Sequence, residues 1–165
     1  MNDMNDIMET AGGRLGRVIA IRLRPGTDVL LGLTEACRRY DINNGVIISG
    51  IGSLDGVRYC NVDYLPGSKA GYGYTDTLTL TGPIELTGAS GIICHDSEGN
   101  VNLHVHITLS DKTGAAFGGH LVEGTRVLLT TDVVIGEIEG IIMGREYNDE
   151  LGVPLFAPRQ GDTID

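Results

Sequence analysis

Residues 101–109 read VNLHVHITL. Val101, Leu103, Val105, Ile107 and Leu109 alternate with Asn102, His104, His106 and Thr108. A two-residue period sends the first set to one side of a β-strand and the second set to the other, so only one face of this strand lies in a core. Asp96-Ser97-Glu98-Gly99-Asn100 before it reads as a hairpin turn, and Lys112-Thr113-Gly114 after it as another. A short strand then leads to Gly118-Gly119-His120-Leu121, and a longer one covers roughly 125–139. The remainder passes through Gly152, Pro154 and Pro158 with no element assigned.

Upstream, residues 77–94 alternate loosely, with interruptions at Gly82-Pro83 and Gly88. PGSKAGYGY at 66–74 is expected to be a mobile loop. Residues 45–62 give a strand, a break at Gly50-Ile51-Gly52, and a second strand with Val57, Tyr59 and Val62. RLGRVIAIRL at 14–23 reads as the first strand. The turn RPGTD follows, with Thr27 or Asp28 as the cap of a helix that has Val29, Leu30, Leu33, Cys37 and Tyr40 on one face. The helix is expected to stop at Asn43-Asn44-Gly45. These elements predict an α+β fold: a largely antiparallel sheet with one main helix near the N-terminus. Residues 14–156 form a single expected domain between tails at 1–13 and 157–165.

Composition narrows the function. The 165 residues carry a formal net charge of −10, whose field opposes a polyanion unless a local basic patch overrides it. Cys37, Cys60 and Cys94 lack C-x-x-C spacing and read as reduced core thiols. MNDMNDIMET at the start has neither a basic segment nor an apolar run, and no stretch approaches the ~18 apolar residues of a membrane span. A cytoplasmic location without membrane association is the expectation.

Three of the four histidines fall within residues 104–120. His104 and His106 share a strand face, with Cβ atoms roughly 6.5–7 Å apart at ~3.3 Å rise per residue. Two imidazoles at that spacing can converge on one ion, and His120 after a Gly-Gly pair can be returned beside them. Three neutral imidazoles suit Zn²⁺, with Ni²⁺, Fe²⁺ or Cu²⁺ as substitutes, and leave a coordination position open. Such an H-x-H pair on a strand is also compatible with plain surface exposure. His95, beside a turn, reads as an exposed loop residue.

LHVHITL, the GAAFGGHL stretch at 114–121 and the V-V-I strand at 133–135 resemble the plants-and-prokaryotes conserved (PPC) domain. RLRPGTDV at 22–29, SGIGSL at 49–54, Glu85 followed by Gly91 and Ile93, and Arg145 with the later LGVPLF extend the likeness to about residues 14–156. The resemblance implies an antiparallel α+β domain that assembles as a homotrimer, with His104, His106 and His120 as ligands of a divalent metal, most often zinc. The plant members bind DNA through an AT-hook. Gly13-Arg14-Leu15-Gly16-Arg17 has no proline and sits in a strand, so this chain has no such hook. DNA therefore stands as a partner by analogy alone. Ile92 also departs from the polar residue that many relatives carry after the matching glycine.

Glu85 is the candidate acid or base for a metal-dependent hydrolase, the rival to a regulatory or DNA-associated role. A small-molecule binding protein is a third reading. Arg22 and Arg24 could meet an anion and Arg145 could reach into an interface pocket, but all three read more simply as solvated residues. Gly50-Ile51-Gly52 lacks the rest of a phosphate-binding loop, and Ser49, Ser53 and Cys94 have no triad around them.

Overall fold

The computed structural model describes residues 7–74 and 76–162. Twelve strands and one helix follow in the order β1 (Arg14–Leu23), α1 (Val29–Tyr40), β2 (Gly45–Leu54), β3 (Val57–Cys60), β4 (Val62–Tyr64), β5 (Tyr72–Tyr74), β6 (Leu78–Leu80), β7 (Ile84–His95), β8 (Val101–Ser110), β9 (Ala116–Leu121), β10 (Val127–Glu139), β11 (Ile141–Asn148) and β12 (Val153–Gln160). The main sheet runs β1-β10-β2-β7-β8-β9-β3-β6, and these neighbours pair antiparallel. A single parallel bridge, Gly144 to His95, hangs the β11–β12 hairpin from the end of β7. The α+β class with a largely antiparallel sheet is what the alternation predicted.

Asp28 is the helix cap. Its Oδ1 accepts from the Leu31 amide at 3.1 Å, and its Oδ2 accepts from the Gly124 amide at 2.6 Å, which ties the helix start to the turn before β10. Val29, Leu33 and Cys37 are buried against β1 and β8, whereas Tyr40 points outward. The helix ends two residues earlier than Asn43-Asn44-Gly45 suggested. Asp41 takes the left-handed conformation at φ 54°, so the Ile42 amide reaches the Cys37 carbonyl and Ile42 is buried.

The core fills one side of the sheet. Val105, Ile107 and Leu109 of β8 are each at most 2% exposed and pack with Leu33, Ile47, Ile93, Leu121 and Ile135.

Three local expectations are corrected. β2 runs unbroken through Gly50-Ile51-Gly52, because β10 pairs with all three residues and β7 rejoins the ladder at Gly52. Residues 66–74 are the turn and second strand of the β4–β5 hairpin, closed by the Leu65 amide on the Gly71 carbonyl. The segment around Pro154 and Pro158 is the strand β12, which extends to Gln160 and so takes in residues assigned to a tail. Among the described residues β12 pairs only with β11, and an edge strand tolerates prolines that lack a donor.

Candidate metal centre

Two adjacent strands build the cluster. Strand periodicity puts His104 and His106 on the face of β8 turned away from the core. In register, His106 lies directly opposite His120 of β9. Gly119 makes that approach possible. A side chain there would meet the Cys60 carbonyl at 2.7 Å and the Tyr59 ring at 2.8 Å, so only glycine lets β9 close on β3 beside His120.

One potential ligand atom from each of the three rings lies within 4.8 Å of the others. His104 Nε2 and His106 Nε2 are 3.1 Å apart. Tetrahedral nitrogen ligands at 2.0–2.1 Å from a metal stand about 3.3 Å from one another, so this spacing fits an ion between them. His120 Nδ1 is buried with no hydrogen-bond partner among the described residues, an orphan that a ligating ring or its outer contact would account for.

Burial first, then the charges of His104, His106 and Arg145, lower the His120 pKa to about 4. Burial, followed by His106 and Arg145, also pushes His104 down. Both rings are therefore neutral at neutral pH, the state a metal requires. The Tyr74 ring of β5 stacks on His120 with centroids 4.7 Å apart. Cys94 and Cys37 are buried, which raises each thiol to about 11 and leaves them protonated rather than nucleophilic.

The other sequence candidates lie elsewhere. Glu85 faces Ser110 of β8 and Ser53 of β2. Ser110 is four residues from His106, or ~13 Å along a strand. Glu85 makes no hydrogen bond to any of the three rings among the described residues. Arg22 and Arg24 are exposed. His95 is not a loop residue: it ends β7, is half-buried, and has its Nδ1 buried without a hydrogen-bond partner among the described residues.

Arg145 is also half-buried rather than solvated. Its Nη1 donates to Asn102 Oδ1 at 3.1 Å and its Nη2 to the Pro154 carbonyl at 2.9 Å. Sequence reading missed Tyr74 and Asn102 as neighbours of the cluster. Asn102 was visible as the next residue on the histidine face, but nothing local to Tyr74 signals that its hairpin folds over β9.

The outer face of the sheet continues well beyond the histidines. Register places Val18, Gly136, Val46, Ile92 and His104 in one row across β1, β10, β2, β7 and β8. Leu15, Val18, Ile48 and Ile51 on the same side are each about half exposed.

Comparisons with known proteins agree with this architecture. A Pyrococcus horikoshii plant- and prokaryote-conserved (PPC) protein is 28% identical, covers 90% of this chain and 96% of its own, and superposes with a TM-score of 0.75. A metal-containing protein from Archaeoglobus fulgidus, 22% identical, matches 90% of this chain and 99% of its own at a TM-score of 0.77. A Bacteroides thetaiotaomicron protein, described only provisionally as DNA-binding, is 22% identical over 87% of this chain and 96% of its own, at 0.70. The last two likenesses establish the fold alone. The bifunctional protein GlmU of Synechococcus sp. (strain JA-3-3Ab) is 27% identical over 121 residues, which are 73% of this chain but 17% of that protein. The chain thus spans about a sixth of the curated relative. A sequence model of the Plants and Prokaryotes Conserved (PCC) domain matches residues 10–139, most of the strands and the whole histidine cluster. By that match the chain belongs to the Plants and Prokaryotes Conserved (PCC, or PPC) domain family.

Proposed function

We propose that this chain is a metal-binding PPC-domain protein that works as a homotrimer in a regulatory role, with His104, His106 and His120 holding a divalent ion, zinc by preference. The observation that carries the reading is the convergence of three imidazoles on one strand pair, two of their nitrogens 3.1 Å apart. An ion held there would act as a Lewis acid with a position left for a further ligand. The residues supply three uncharged donors and, in His120 Nδ1, a buried atom in want of a partner.

The outer face supports the trimer. Leu15, Val18, Ile48 and Ile51 form an apolar patch continuous in register with the histidine row, and such patches mark contact surfaces. Assembly over that row would enclose the metal centre. DNA association rests on analogy with other members, and the net charge of −10 opposes it. Among the described residues no helix is long and apolar enough to cross a membrane, and a cytoplasmic setting is part of the proposal.

Elemental mass spectrometry of untagged protein tests the centre. About one zinc or similar ion per chain, lost in His104→Ala, is the expected result. Wild-type protein that neither carries nor takes up zinc overturns it.

A further inference from the structure

Asn102, His104 and His106 occupy successive positions on one face of β8, so any group fixed to Asn102 borders the histidine cluster. The group fixed there is the Arg145 guanidinium. It is held from two sides, by Asn102 Oδ1 on the sheet and by the Pro154 carbonyl on β12. Two of its five N–H groups are committed to these bonds, and the others remain to donate. The chain carries 22 Asp and Glu residues, and five ion pairs form among the described residues, yet Arg145 takes part in none of them. A half-buried cation that avoids carboxylates in so acidic a chain, anchored instead to a neutral amide and a carbonyl, keeps its charge for something else.

The neighbouring site has the same imbalance. Its three ligands are neutral, so a divalent ion there would keep its full charge, with Arg145 adding another beside it. Tyr74, its ring stacked on that of His120 with centroids 4.7 Å apart, walls the cluster. On the far side of His106 lies a groove of about 350 Å³, bordered by Gly88, Ser90, Thr108 and Gly118, with room for the body of a small molecule.

We propose that Arg145, positioned by Asn102, makes the histidine centre a receptor for a small oxyanion, a carboxylate or a phosphate ester, that places one oxygen on the metal and another on the guanidinium. The planar fork of arginine suits this task because it donates parallel bonds to both kinds of head group. Metal and guanidinium on one edge select the charge, and the groove limits the size of the body attached to it. Arg145 is thus a binding residue for the ligand and Asn102 a positioning residue.

The inference rests on the metal reading, and the test separates the two. Protein loaded with Co²⁺ is followed by visible absorption while acetate, succinate and inorganic phosphate are added separately. The expected result is a tetrahedral cobalt spectrum that shifts with at least one anion at millimolar concentration. In Arg145→Gln the anion dissociation constant rises about tenfold or more, as loss of a charge-assisted bond predicts, while cobalt binds at least as tightly because a neighbouring positive charge is gone. Asn102→Leu, which keeps the guanidinium but releases it, weakens the anion by a smaller factor. Arg145→Lys serves if the glutamine variant fails to fold, and its point charge without the fork gives an intermediate constant. A carboxylate-only or phosphate-only response identifies the head group. Cobalt bound with a spectrum that no anion moves, or with equal anion constants in wild type and Arg145→Gln, overturns the proposal alone. Cobalt that does not bind overturns the metal reading with it.

Discussion

In the unfolded chain an imidazole titrates near 6.5, whereas burial and its neighbours hold His120 at about 4 in the fold. Between these values the unfolded state binds more protons than the folded one. The metal-free protein should therefore lose stability as pH falls from about 6.5 toward 4 and lose no more through this group below that. Urea midpoints across that range check it, and His120→Gln should flatten the slope. His104, lowered for the same first cause, adds to the effect in the same direction. Residues of this kind were legible in unequal degree. The alternation of VNLHVHITL placed His104 and His106 on one face, and Gly119 justified the return of His120. Arg145 was not legible, because its partners Asn102 and Pro154 are fixed by a hairpin docking on the sheet and not by any local pattern.

Helix α1 concentrates two independent supports in its first turn. Asp28 caps it and also accepts from Gly124 before β10. Asp28→Ala should cost about 1–2 kcal/mol or slightly more, with the second bond lost along with the cap, measured by denaturant unfolding. Leu33, fully buried one turn later, should cost about 2–5 kcal/mol as Leu33→Ala. The helix and the long strands were readable because capping, the 3.6-residue period and strict alternation act within a few residues of each other. The β11–β12 hairpin was not. Its prolines argue against a central strand, and only the edge position revealed by the sheet order reconciles Pro154 and Pro158 with pairing. The β4–β5 hairpin hid for another reason: PGSKAGYGY is turn chemistry throughout, and its strands are three residues each.

At the scale of the molecule, the apolar row from Val18 to Ile92 sets the expectation for assembly. Light scattering should return about three times the 17.5 kDa chain mass, and Val18→Asp with Ile48→Asp should return the single chain. A gel shift with nonspecific duplex DNA at ~100 mM salt should show no complex at micromolar protein, because the field of a −10 chain repels phosphates. The pairing of His106 with His120 adds a property that belongs to the folding chain. A strand that slips by one residue turns every side chain to the opposite face. An ion gripped across β8 and β9 could form all its bonds in one register only, so it would act as a proofreader of strand alignment, holding the correct hairpin closed and leaving any slipped one to reopen.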